Sequence, residues 1–95
     1  MIDINFEKYS ETVLEDFKLT DMYMIQNWIH CTVTFTTTNM PEDIIDPQAL
    51  IIMNSDKEIL QIVLHEEGCD SPNYQFTEKE KEQIMNWFRT EKVEL

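Results

Sequence analysis

Ala49-Leu-Ile-Ile-Met-Asn-Ser-Asp-Lys-Glu-Ile-Leu-Gln-Ile-Val-Leu-His-Glu66 is the stretch that decides the fold. Residues 49–53 and 59–64 are almost wholly apolar and rich in β-branched side chains, the composition of short buried strands. Between them, Asn54-Ser55-Asp56-Lys57 is a cluster whose polar side chains bond back to their own backbone and reverse the chain. The stretch predicts a β-hairpin. Because both arms are apolar on both faces, they are expected to be inner strands of a small sheet covered on both sides, with Ile52 and Ile62 buried alike.

Downstream, Glu66-Glu67-Gly68-Cys69-Asp70-Ser71-Pro72-Asn73 holds the only glycine and reads as a surface loop. Gly68 is expected at positive φ, where it ends the second hairpin arm. Thr77-Glu78-Lys79-Glu80 then forms a capping box, the threonine hydroxyl taking one free helix N–H and Glu80 reaching back to another. A helix is predicted from about residue 78 to 91, with Ile84, Met85, Trp87 and Phe88 as its apolar face.

Upstream, Ile29, Cys31, Val33 and Phe35 alternate with His30, Thr32, Thr34 and Thr36. That period of two predicts a strand across residues 28–38 with one apolar and one threonine-lined face. Residues 39–47, with two prolines and three acids, predict a connection in which Pro41-Glu42-Asp43 can open one helical turn. The N-terminal segment is ambiguous. Ile4, Tyr9, Val13 and Phe17 fall near helical spacing, whereas Val13, Phe17, Leu19, Tyr23 and Ile25 fit an alternating pattern. The reading adopted is a helix through about residue 16, then a short strand or helical turn at 21–25. The predicted architecture is a single α+β domain: an antiparallel sheet of three to four strands with the C-terminal helix, and an N-terminal one, packed on one face.

Nineteen acids against seven bases leave the 95 residues at −12. Residues 1–72 hold fourteen of the acids and only three lysines, while residues 73–95 hold five acids and four bases. Such a field repels phosphate backbones and anionic lipid, so direct binding to nucleic acid or membrane is not expected and a basic protein partner is. Two cysteines are too few for a disulfide framework and point to thiols in a reducing compartment. The first residues show no basic-then-apolar leader, and no apolar run approaches the ~20 residues of a membrane span. A soluble, cytoplasmic protein is expected.

No motif for catalysis emerges. His30 and Cys31 are adjacent in a predicted strand and point to opposite faces, so they cannot share a metal ion. No Cys-x-x-Cys or His-x-x-x-His pair is present to nucleate a zinc site. Cys69, four residues after His65, is the one local nucleophile candidate, but Glu66, Glu67 and Asp70 around it oppose a thiolate. Asn54-Ser55-Asp56 lacks the sixth-position glycine and the flanking helices of a calcium loop. Neither cofactor nor metal is expected, and the chain does not read as an enzyme. Trp28, Trp87 and Phe88 are aromatic anchors or core.

Small size, one glycine, heavy acidity and no catalytic motif together resemble the small inhibitory or immunity proteins of phages and mobile elements. The resemblance is one of composition, covers no motif and carries no residue over. It implies an inhibitor of the anti-defence or immunity type that covers a basic surface of a partner, including one that serves nucleic acid. The residues assigned to that contact are Glu42, Asp43, Asp46, Glu66, Glu67 and Asp70. The alternative is a structural or assembly subunit whose acidity provides only solubility. A small enzyme is the third reading.

Overall fold

The computed structural model describes residues 1–7, 9, 11–37 and 44–90. Among the described residues seven strands and one helix follow in order: β1 (Ile2–Asp3), β2 (Glu15–Ile25), β3 (Trp28–Thr36), β4 (Pro47–Met53), β5 (Ile59–Glu66), β6 (Cys69–Asp70), β7 (Tyr74–Gln75) and α1 (Glu78–Thr90). Strands β2-β3-β4-β5-β6 form an antiparallel five-stranded sheet, and β1 pairs with β7 in a two-stranded one. The α+β class with a C-terminal helix is as the sequence predicts, with more strands than the three to four expected.

The β4–β5 hairpin lies at the centre. Asn54 makes its turn, its Oδ1 accepting from the Asp56 and Glu58 amides at 3.0 Å each. Register pairs Ala49 with Leu64 and Ile51 with Ile62, and pairs Cys31 with Ile51 and Val33 with Ala49. All of these are buried on one face, where Ile84 and Phe88 of α1 join them. Phe17 of β2 stacks on Trp87 at 5.1 Å, so one of the two neighbouring helix aromatics reaches the edge strand while Phe88 enters the core.

The other face is not covered by any described element. It carries His30, Thr32 and Thr34 of β3, paired with Ile52, Leu50 and Gln48 of β4, which pair in turn with Gln61, Val63 and His65 of β5. The expectation that Ile52 and Ile62 are buried alike is therefore corrected. Ile62 faces the helix and is buried, whereas Ile52 is half-buried on the open face. Leu50 is buried there by its position at mid-sheet, between Thr32 and Val63.

The N-terminal helix is also corrected. Among the described residues the only helix is α1, and residues 15–25 form the long edge strand β2. The one-face alternation of Val13, Phe17, Leu19, Tyr23 and Ile25 is broken, however: the irregularity between Leu19 and Asp21 leaves Phe17 and Leu19 on the helix side and turns Tyr23 and Ile25 to the open face. Helix is displaced because α1 satisfies this segment's backbone from the side. The Leu14 amide donates to Gln83 Oε1 at 2.7 Å, and Gln83 Nε2 donates to the Thr12 carbonyl at 2.9 Å. The Thr12 amide and hydroxyl donate to Glu80 Oε2 at 3.0 and 2.8 Å. The Met1 ammonium pairs with that same buried carboxylate oxygen. Gln83→Ala removes both clamps on residues 12–14 and is expected to cost about 1–3 kcal/mol. A urea titration in which Gln83→Ala matches the parent would show that the clamp holds nothing.

The capping box forms as read. The Glu80 amide donates to Thr77 Oγ1 at 3.2 Å and the Thr77 amide to Glu80 Oε1 at 2.9 Å. Gly68 sits at φ 83, as its place after the second arm requires. No helix among the described residues is long and apolar enough to cross a membrane.

Candidate functional site

Antiparallel order places the start of β2, the end of β3, the start of β4, the end of β5 and the start of β6 at one end of the sheet. Glu15 and Asp16 come to this end from the first segment, Asp46 from the second, and Glu66, Glu67 and Asp70 from the third. Four of the residues assigned from sequence are thus brought together, and Glu15 and Asp16 join them. Glu42 and Asp43 lie outside the described residues. Among the described residues two lysines stand near, Lys18, on β2 opposite Thr34, and Lys81, which lines a concavity with Asp70. Elsewhere acids and bases interleave: Lys57 lies between Asp56 and Glu58, and Lys79 between Glu78 and Glu80.

The six carboxylates do different work. Glu66 is structural, accepting from the Ile45 amide at 2.9 Å and from the Ser71 hydroxyl. Asp16 accepts from the Thr36 hydroxyl at 2.9 Å. His65 Nε2 lies 2.9 Å from Asp70 Oδ1, an ion pair when the imidazole is protonated, with an alignment short of a hydrogen bond. Among the described residues, Glu15, Asp46 and Glu67 have no side-chain bond and are exposed. Asp46 and Glu67 both hold left-handed backbone, at φ 46 and 52, where a side chain other than glycine's is disfavoured. The Glu67 amide donates to the Asp46 carbonyl at 3.4 Å. The two residues line an open concavity of ≈ 670 Å³ with Thr34, Phe35, Pro47, Gln48 and Gly68. Two carboxylates at one concavity can receive one cationic side chain, guanidinium above all, because its planar fork matches carboxylate geometry.

The other candidates do not assemble. Register sets Cys69 opposite Glu66 and Asp70 opposite His65, on alternate faces, so Cys69 and His65 do not meet as nucleophile and base. Cys69 belongs to the short strand β6 rather than to a loop. Both cysteines are free thiols. Cys31 is buried in β3, and burial pushes its thiol up. Among the described residues, no three His, Cys, Asp or Glu side chains stand together as a metal-holding group. Glu11, four residues before Glu15, stands at the start of α1 beside Thr77. Partial burial alone would push its carboxyl up, but hydroxyls donated by Thr77 (2.6 Å) and Tyr9, with the N-terminal ammonium and Lys79, outweigh that and hold it below the usual range. The bond to Glu11, aided by desolvation and by the charges of Glu11 and Glu80, raises the Tyr9 phenol.

The charge pattern singles out Glu11, Glu15 and Asp16 as the acids of the first segment without assigning them to the contact; strand order brings Glu15 and Asp16 to this end. No family model, no curated protein and no solved structure matches the chain.

Proposed function

We propose that this chain is a non-catalytic interaction module, an inhibitor of the anti-defence or immunity type that lays the acidic end of its sheet over a basic surface of a partner protein. One observation carries the reading: carboxylates from three separate segments meet at one end of the sheet, where Lys18 and Lys81 are the bases placed near them among the described residues. Acidity that served solubility alone would have no reason to gather there. A field of one sign over a concave surface steers an oppositely charged partner and speeds its encounter. Glu15, Asp46 and Glu67 supply the contact, and an arginine or lysine of the partner enters the concavity that Asp46 and Glu67 line. If that basic surface serves nucleic acid, the nucleic acid competes with this chain for it.

The test is the association rate with the basic partner captured from the host, followed by stopped flow across salt concentrations. The parent rate is expected to fall steeply with salt, because exposed charges are screened beyond about 8 Å at physiological ionic strength. Changing Glu15, Asp46 and Glu67 together to Ser is expected to slow association about tenfold or more at low salt, with the fold intact. A salt-independent rate, or a triple variant that binds at the parent's speed, would overturn the proposal.

A further inference from the structure

The end of the sheet opposite the acids has the contrary character. Between Asp21 and Glu42 the sequence carries no Asp, Glu, Lys or Arg. Here β2 turns into β3 through Gln26 and Asn27, and the turn leaves a group of large apolar side chains in solvent. Met22, Tyr23, Met24, Ile25 and Trp28 are 41, 41, 63, 49 and 42% exposed. They lie on both faces of the hairpin. Tyr23 and Ile25 share the open face with their partners His30 and Trp28, while Met22 and Met24 lie on the helix side, beyond the cover α1 gives.

Strand β2 is also the edge of the five-stranded sheet. Bulges interrupt its pairing with β3 between Glu15 and Lys18 and between Leu19 and Asp21, but from Asp21 to Ile25 the register is unbroken. A regular, apolar edge without proline or lysine is a template for another strand; within residues 21–25 the one opposing feature is Asp21, exposed and accepting from the Met22 amide at 2.9 Å.

We infer that the occupant of this edge is a second copy of the chain. Its β2 runs antiparallel to the first across a two-fold axis beside Tyr23, joining two five-stranded sheets into one of ten strands. Charge selects this place. Two molecules of net charge −12 repel wherever their carboxylates face each other, and at the β2–β3 end the paired segment of each copy brings only Asp21, which antiparallel register sets opposite the other's Ile25 rather than opposite its Asp21. Antiparallel pairing about the axis also turns the two acidic ends away from each other. At roughly 200 Å² for a large side chain, the five exposed residues offer on the order of 450–500 Å² per copy. A symmetric pair then buries about 900–1,000 Å² before backbone pairing is added, the lower end of specific interfaces. The association is therefore weak, with Kd of about 10–100 μM.

Sedimentation equilibrium of the full chain over a range of concentrations, at about 50 mM and about 500 mM NaCl, tests this. A monomer–dimer equilibrium is expected that tightens as salt rises, because screening removes the repulsion between copies. Docking through the acidic end has the opposite salt dependence, so either can fail without the other. Met24→Asp adds a carboxylate to each side of the pairing and is expected to weaken dimerisation about tenfold or more, with an unchanged circular dichroism spectrum. Glu67→Ser, at the far end, is expected to dimerise at least as well as the parent. A parent that stays monomeric at high salt, open-ended polymers in place of dimers, or a Met24→Asp variant that pairs like the parent would overturn the inference.

Discussion

Glu80→Ala is expected to destabilise the protein by about 3–5 kcal/mol, the range for deleting one member of a buried ion pair. Glu80 is fully buried at the first turn of α1. Its Oε1 caps the helix through the Thr77 amide, while Oε2 receives the Thr12 amide, the Thr12 hydroxyl and the Met1 ammonium. Met1 and Thr12 are themselves buried, so truncation takes this acceptor from an ammonium and two neutral donors out of water's reach, each at a desolvation cost. Few small domains exceed ~15 kcal/mol of total stability, which makes this loss a large fraction of the whole. Glu82→Ala, on the exposed side of the same helix, is the control and is expected to change stability by no more than about 0.5 kcal/mol. Chemical denaturation of both variants reads the difference. A loss below about 1 kcal/mol for Glu80→Ala would show that the N-terminal segment is not anchored through this carboxylate.

The second large effect separates two neighbours that look identical in sequence. Ile51 is fully buried on the helix side of the central strand, in register with Cys31 and Ile62. Ile52 points to the open face, opposite His30 and Gln61, and is half-buried. Ile51→Ala is expected to cost about 2–5 kcal/mol, since it opens a cavity in packed surroundings, and Ile52→Ala about 1 kcal/mol, since water can follow the truncated side chain. Equal losses in a denaturant titration would mean that the open face is covered after all.

That pair shows where the sequence is legible. The hairpin, strand β3 and helix α1 each announce themselves by local chemistry: Asn54 at a turn, strict alternation over Ile29, Cys31, Val33 and Phe35, and Thr77 with Glu80 at a helix start. What covers each face is a matter of tertiary arrangement. Apolar residues on both faces of β4 suggest two covers. Only one is formed by the described residues, because the centre of a five-stranded sheet shields Leu50 through its neighbours alone. The N-terminal segment was misread for a related reason. Its backbone partners are the side chains of Glu80 and Gln83, about seventy residues away in sequence, and no local pattern reveals such a bond. The capping box disclosed one role of Glu80 and left the larger one hidden. The acidic end was half legible. Charge counts located the acids in three segments, but strand order decided that they meet, recruited Glu15 and Asp16, and withdrew Glu66 into a structural role.

The proposal that carboxylate charge is gathered into a docking surface is tested most directly by NMR titration of the ¹⁵N-labelled protein with a short arginine-rich peptide. Chemical-shift changes are expected at the amides of Glu15, Asp16, Asp46, Glu67 and Asp70 and in the residues lining their concavity. They should fade with added salt and be lost when Glu15, Asp46 and Glu67 are changed to Ser. Shifts of equal size at Asp56, Glu58, Glu78 and Glu82, or a triple variant that titrates like the parent, would contradict the account and leave the acidity as a solubility device.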